Sequence, residues 1–483
     1  MSLQLDAQLR ICLQVLASHY PGHVIDINQS LQDVSFPVRA GWTVQNLLAF
    51  IQASKPELLA ERALLRSDES GTAIYLPDRS EEAPVLFVYD RGQIPEAHGE
   101  QRHGQQAPLK IAHIAPPWLP VPPTTYGGTE RIIADLVEEQ VAQGHDVTLF
   151  APADAQTSAR LISFIPASLR SQEVPWAAHL QAYYHLHQAV EAARAANVDI
   201  VHSHLSSAAD LYLLPLTARL EIAHVTTLHS AFPFDRVQEW KGTADDYYLR
   251  QWAASVPVVA ISEQARRQAP SALQVIDVVH HGIALRQYVP SNEPRGGYLA
   301  WVGRFVPEKG PHLAIAAARR AGMPLILAGT IDEGMEESRQ YFHTAIEPQL
   351  DQQVRYIGPV TQLQKVALFS CADGLLNPIE WEEPFGLVMI EAMALGCPVI
   401  AFARGAAPEV LLHEQTGYLV SGVDEMIEYI PHLARIDRQF TRTYVEERFS
   451  ACAMARNYVK VYRRLLHATD AQPWKWCHAE ECL

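Results

Sequence analysis

Glu382-Glu383-Pro384-Phe385-Gly386-Leu387-Val388-Met389-Ile390-Glu391-Ala392-Met393-Ala394-Leu395-Gly396 sets two carboxylates, Glu383 and Glu391, around a turn that opens an otherwise apolar helix. Leu387, Val388, Ile390, Met393, Ala394 and Leu395 surround Glu391 on every side, so its carboxylate is expected at or near the interior. An unpaired carboxylate there costs roughly several kcal/mol unless something donates hydrogen bonds to it, and a ligand hydroxyl is one such donor. Pro384 is expected to start the helix and Gly396 to end it, with Pro398 leading into the apolar strand Val399 to Phe402. Helix followed by parallel strand leaves the N–H groups of Gly386 to Val388 unpaired at a helix N-terminus, a natural seat for phosphate.

The Glu-x7-Glu spacing, with Pro-Phe-Gly after the first Glu, resembles that of retaining family-4 glycosyltransferases of bacterial type, which have the GT-B architecture. Upstream, Gly303-Arg304-Phe305-Val306-Pro307-Glu308-Lys309-Gly310 follows the apolar strand Tyr298 to Val302 and resembles the basic pair that the same family uses for the donor diphosphate. Arg304 offers a planar fork of donors and Lys309 a mobile point charge, which suits two bridged phosphates better than either alone. A third match runs from Pro116-Pro117 through Tyr126-Gly127-Gly128-Thr129-Glu130-Arg131, where the strand Lys110 to Ala115 enters a Pro-rich loop and then a Gly-Gly turn. Glycines let backbone approach a ligand closely, and Thr129 is expected to cap the helix that ends before Gly144. These matches stand in family order over the last three quarters of the chain. Against them stand the bland readings: solvent-exposed carboxylates for Glu383 and Glu391, surface charges for Arg304 and Lys309, an ordinary turn at Gly127-Gly128.

The resemblance implies two Rossmann-like domains facing across a cleft, with the nucleotide sugar on the second. The expected division is an unrecognised α+β accessory domain at 1–90, a linker at 91–108, an acceptor domain at 109–288, a donor domain at 289–445, and a crossover helix with tail at 446–483. By the same resemblance, Arg304 and Lys309 neutralise the leaving diphosphate, Glu391 accepts bonds from the ribose hydroxyls, and Glu383 holds a donor-sugar hydroxyl. Phe385, Gly386, Leu387 and Val388 line the donor, and Gly127 and Gly128 bring the first domain's loop against donor and acceptor. His229, after Val225-Thr226-Thr227-Leu228, corresponds to a family histidine near the reacting sugar carbon; the alternative is a capped core position. His204 is weighed the same way, and His280-His281 stand where relatives often place an Asn before Gly-Ile. The implied reaction is retaining hexosyl transfer without metal or cofactor, with UDP-glucose as donor and an unknown acceptor.

Composition agrees with that class. The chain has 483 residues, enough for two or three domains, and 48% hydrophobic content supplies a large core. A formal charge of −16 argues against nucleic acid or an anionic membrane as the main partner. No apolar run reaches membrane-spanning length and the N-terminus lacks a secretion pattern, so a cytoplasmic location is expected. Six scattered cysteines give no disulfide framework, and the Cys477 to Cys482 cluster is too short for a metal site. No Asp-x-Asp occurs, which argues against the metal-diphosphate site of the other large glycosyltransferase fold.

Along residues 1–90, helices are expected near Leu5 to Ser18 and Val44 to Arg66, with strands at Val24 to Ile27, Ala73 to Leu76 and Val85 to Tyr89. This region is left as a candidate contact for a partner or a second copy. From Leu109, strands alternate with helices: Lys110 to Ala115, Asp146 to Ala151, Val198 to Ser203, His224 to His229, Pro257 to Ile261 and Asp277 to His281. Tyr298 to Val302, Pro324 to Gly329, Val354 to Ile357, Gly374 to Asn377, Val399 to Phe402 and Tyr418 to Val420 continue the series, as parallel sheets require. Three rival functions remain: a GT-B sugar-nucleotide epimerase, a non-catalytic scaffold, and an NAD-dependent oxidoreductase. The last lacks Gly-x-Gly-x-x-Gly after Lys110 to Ala115.

Overall fold

In a computed structural model of the protein, the described residues are 107–124, 127–230, 251–252, 255–291, 294–332 and 336–471, with five short strands among the first 106. The chain divides into two compact units, Met1–Gln106 and Ala107–Leu483. In the first, β1 (Val24–Asn28), β2 (Ser35–Pro37), β3 (Leu64–Asp68), β4 (Gly71–Tyr75) and β5 (Val85–Tyr89) form an antiparallel sheet in the order β2-β1-β5-β4-β3. β3 corrects the expectation of helix through Arg66: Leu64 to Asp68 pair antiparallel with Tyr75 to Gly71, which commits them to strand. The helices expected before β1 and β3, most of the 91–108 linker, Tyr126, residues 231–240 and the cysteine tail lie outside the described residues.

The second unit holds two wholly parallel sheets. β6 (Lys110–Ile114), β7 (Asp146–Phe150), β8 (Arg160–Ile162), β9 (Ile200–Leu205), β10 (Ala223–Leu228), β11 (Pro257–Ala260) and β12 (Gln274–Val278) run in the order β12-β11-β10-β9-β6-β7-β8. β13 (Leu299–Val302), β14 (Leu325–Ala328), β15 (Val354–Tyr356), β16 (Gly374–Asn377), β17 (Val399–Phe402) and β18 (Gly417–Val420) run β15-β14-β13-β16-β17-β18. The strands are short apolar runs because helices cover both faces of a parallel sheet. Two strands depart from expectation. β8 is a three-residue edge strand with only one sheet neighbour, too short to show a pattern. β12 lies three residues earlier than Asp277 to His281, since β11 ends at Ala260 and the Val279 N–H donates to that last carbonyl, freeing His280 and His281 into a loop.

Each sheet order reverses once, between β9 and β6 and between β13 and β16, and open α/β sheets bind ligands beyond the carboxyl ends of strands at such points. The Gly127-Gly128 loop follows β6, the Arg304 loop follows β13, and the Glu383 loop follows β16.

The chain passes between the sheets twice, and the two passages pair: Ile283 N–H donates to Phe449 O at 2.9 Å, and Ala451 N–H to Ile283 O at 2.8 Å. Beyond this crossing the helix Ala451–Ala471 returns over the first sheet. Its buried residues Met454, Ala455, Tyr458, Val461 and Tyr462 follow helical spacing and pack with Ile132 and Leu136 of the helix Gly128–Ala142 and with Val225 of β10. Gly282 permits the crossing: a Cβ there would lie 2.2 Å from the Ser450 carbonyl oxygen, a contact that only backbone movement relieves. Gly282→Ala is expected to destabilise by roughly 1–3 kcal/mol, the usual cost of overpacking. Urea unfolding checks this; an unchanged midpoint would mean that the crossing yields freely.

Candidate active site

The loop after β13 and the loop after β16 are tied together by backbone, since Glu380 N–H donates to Glu308 O at 2.9 Å. This brings Lys309 to Glu383: Nζ bonds Oε2 directly, with the two side chains 19% and 18% exposed, and the ammonium stands 5.3 Å from the Trp381 ring centroid. Arg304, on the same loop as Lys309, is half-buried, and its Nε is buried without a hydrogen-bond partner among the described residues. A buried donor left unsatisfied costs about 1–3 kcal/mol, which an incoming anion would relieve. The loop thus carries one cation already held by a carboxylate and one with bonding capacity to spare.

The helix after Glu383 begins at Leu387, not at Pro384, and runs to Ala394. Gly386 is its N-cap with φ +87°, a left-handed conformation that breaks any helix begun upstream and that glycine adopts without strain. Phe385 is buried and Leu387 and Val388 half-buried. No side chain caps this end, so its first N–H groups stay available to a ligand. Thr129 likewise is not a cap: its helix starts at Gly128 with Gly127 as N-cap, leaving that terminus uncapped too. The two uncapped ends meet, because a Cβ on Gly128 would stand 3.3 Å from Leu387 Cδ1. Gly127, Gly128, Leu387 and the Lys309–Glu383 pair therefore surround one corner between the sheets.

Glu391 is buried as expected, but it is not unpaired. Lys365 Nζ donates to both its oxygens at 2.7 and 2.8 Å, and the Tyr288 hydroxyl donates to Oε1 at 2.8 Å. Neither partner lies on its own helix, which is why inspection of that helix alone leaves the carboxylate looking orphaned. Three bonds leave room for one more on a carboxylate's roughly four lone-pair sites.

Glu130, in the first turn of the Gly128 helix, is buried, and desolvation with the nearby Asp210 charge pushes its carboxyl up to about 7. Asp210 is pushed up to about 6 by burial, although Ser206 and Ser207 N–H groups donate to it. A carboxyl whose pKa rises on folding favours the folded state below its ordinary 4.5, and that stability is lost as pH climbs through about 7. Glu130→Gln is therefore expected to raise Tm at pH 8 by several degrees, each kcal/mol being worth roughly 2–4 °C for a domain of this size, and to have little effect at pH 4.5. Scanning calorimetry at both pH values checks it; an equal shift at each would mean that the charge is irrelevant.

His229 stands just past β10, 8% exposed, and burial lowers its imidazole to about 3, so it is neutral. Its Nε2 meets His204 Nδ1 at 2.8 Å, while its Nδ1 is buried without a partner among the described residues. Its ring stacks on His281 at 5.1 Å, and His281 meets Phe385 edge-on at 5.1 Å, so His229 reaches the Gly386 turn through one intervening ring. His280 instead bonds Glu409 Oε2 at 3.2 Å.

Two family models match the chain: "Glycosyltransferase Family 4" over residues 126–287 and "Glycosyl transferases group 1" over residues 290–436, one on each parallel sheet. The chain belongs to the family-4, group 1 glycosyltransferases. A putative glycosyltransferase of Bacillus subtilis, YtcC, is 25% identical over 411 residues, 75% of this chain and 94% of that protein. A D-inositol 3-phosphate glycosyltransferase of Mycobacteroides abscessus is 32% identical over 159 residues, 30% of this chain and 35% of that one. Among solved structures, sucrose-phosphate synthase from Thermosynechococcus elongatus superposes with TM-score 0.61 at 23% identity, covering 74% of this chain and 99% of that one. Anabaena HepE, solved with UDP and glucose, gives TM-score 0.56 at 17% identity, covering 74% and 100%. These likenesses show the GT-B fold.

This glycosyltransferase thus carries its Gly-Gly loop, basic loop and acidic helix at one corner of a GT-B frame. Sequence reading missed Lys365, Tyr288 and Asp210 as partners of the site. Lys365 is 26 positions from Glu391 and Tyr288 is 103, so only the requirement that a buried carboxylate find donors pointed to them. Among the described residues no helix is long and apolar enough to cross a membrane.

Proposed function

We propose that this enzyme transfers a hexosyl group from UDP-glucose to an acceptor with retention of configuration and without a metal ion. That it moves sugar from a nucleotide sugar follows from its family. The observation that carries the finer reading is the Arg304 Nε, buried without a hydrogen-bond partner among the described residues, on the loop that also bears Lys309. The diphosphate lies against Arg304, against Lys309 once that ammonium leaves Glu383, and against the N–H groups that begin at Leu387. Positive charge fixed where the leaving group's negative charge grows lowers the barrier more than it tightens ground-state binding. Glu383, released from Lys309, accepts from a donor-sugar hydroxyl, and Glu391 uses its remaining lone pair for a ribose hydroxyl. His229 faces the sugar, and the leaving phosphate takes the acceptor's proton on the same face. Gly127 and Gly128 close the first domain's loop on donor and acceptor, excluding water.

The choice of UDP-glucose rests on the Tyr-Gly-Gly-Thr-Glu-Arg loop combined with Pro384 to Glu391, and HepE has been solved with the same donor. An accessory role for residues 1–90 and a cytoplasmic location belong to the same reading. The test is incubation with a panel of UDP-, GDP- and ADP-sugars, following slow donor hydrolysis and the product's anomeric configuration by proton NMR. α-Glucose released from UDP-glucose is expected. Turnover of a GDP- or ADP-sugar alone overturns the donor, β-glucose overturns retention, and a new sugar nucleotide would make the protein an epimerase.

A further inference from the structure

The first sheet hides an unusual line of polar rings. His113 on β6, His204 on β9 and His229 after β10 come from adjacent strands and are joined nitrogen to nitrogen: His113 Nδ1 to His204 Nε2 at 3.0 Å, then His204 Nδ1 to His229 Nε2 at 2.8 Å. At the far end His113 Nε2 meets Gln140 Oε1 at 2.7 Å, and Gln140 Nε2 meets the Tyr462 hydroxyl at 3.2 Å. Every side chain in the file is buried. His113, His202 and His204 bring ligand atoms within 4.8 Å of one another, but a metal finds them spent. His113 and His204 face each other, and His202 has its nitrogens on the Tyr462 and Thr227 hydroxyls, each at 2.6 Å.

A file of neutral imidazoles has only two self-consistent polarities, because each ring carries one proton and each contact takes one. The amide end decides between them. A 2.7 Å contact suits a ring N–H donating to a carbonyl oxygen and is too close for an amide nitrogen against a ring nitrogen, while 3.2 Å suits an amide N–H donating to a hydroxyl. With Oε1 toward His113, the His113 proton sits on Nε2 and its Nδ1 must accept. His204 then donates from Nε2 and accepts at Nδ1, and His229 donates from Nε2. The last ring is left with a bare Nδ1, the atom that has no hydrogen-bond partner among the described residues.

We propose that Gln140, His113 and His204 are positioning residues that fix the tautomer of His229, so that its Nδ1 lone pair accepts a hydrogen bond from a hydroxyl of the sugar. The line starts under the helix Ala451–Ala471 and ends at His229, whose ring stacks on His281 and through it meets Phe385 beside the Gly386 turn, so the ring's hydrogen-bonding sense is set two strands away from it. The selection of a hydroxyl rests on the reading that His229 faces the donor sugar; the tautomer does not. A sugar with a carboxylate at that place would set lone pair against lone pair and be refused.

The test uses full-length protein labelled with ¹⁵N-histidine and no ligand, with resonances assigned from single His→Asn variants. His113, His204 and His229 are each expected to show a protonated Nε2 and a bare Nδ1 at neutral pH. A protonated Nδ1 at His229, or a mixture of tautomers, overturns the file whatever the donor is. Two variants separate positioning from packing. Gln140→Glu keeps an acceptor for His113 and is expected to retain kcat/KM within several-fold. Gln140→Met keeps the volume, removes the acceptor, and is expected to lose 10-fold or more with mixed tautomers. Met performing as well as Glu would make the residue merely structural. If the tautomer holds while His229→Ala leaves donor kinetics untouched, the file stands and the placement of the sugar falls.

Discussion

Arg304→Ala is expected to weaken UDP and UDP-sugar binding about 100-fold, or roughly 3 kcal/mol, the worth of one or two charge-assisted hydrogen bonds withdrawn from a diphosphate. The same substitution is not expected to lower the ligand-free Tm, because the Nε it removes is buried without a hydrogen-bond partner among the described residues and carries a desolvation cost there. Most side chains kept for packing behave the opposite way, losing stability on truncation. Arg304→Lys should recover little of the affinity, since an ammonium on a flexible stem cannot reproduce the planar fork. Isothermal titration with UDP, paired with thermal unfolding of the free protein, measures both halves. An Ala variant that unfolds early yet binds UDP normally would assign Arg304 to the scaffold.

Glu383→Ala is expected to separate chemistry from binding in the reverse sense. In the free protein Glu383 holds Lys309, so its removal releases the ammonium toward phosphate. UDP should bind as tightly as before or more tightly. Turnover should nevertheless fall about 100-fold or more, because in the proposed role Glu383 bonds the reacting sugar and acts chiefly in the transition state. Single-turnover rates with saturating UDP-glucose, beside UDP titration, read the two effects. Loss of UDP affinity with unchanged kcat would mean that Glu383 only props up the loop.

What was legible in the sequence was whatever local pattern determines. Short apolar runs gave the parallel strands because a buried strand must be apolar on both faces. The three motifs fell beyond strand ends because only there can a loop leave the sheet. The missed features share a different cause. The helix start moved from Pro384 to Leu387 because Gly386 adopts φ +87°, a choice glycine permits but does not announce. Glu391 found Lys365 and Tyr288 through folding that unites distant segments. The histidine file was overlooked among 21 histidines, although His202 and His204 stand two apart on a strand and so share a face. That alternation was the available signal; Gln140, Tyr458 and Tyr462, which complete the polar layer from two helices, gave none.

The site assignment is tested most directly by a crystal structure with UDP-glucose bound at saturating concentration. The diphosphate is expected between the Arg304 guanidinium, the Lys309 ammonium and the first N–H groups of the Leu387–Ala394 helix, with Lys309 no longer on Glu383 and the ribose on Glu391. Density for the nucleotide elsewhere, or a diphosphate there with Lys309 still bonded to Glu383, would contradict it.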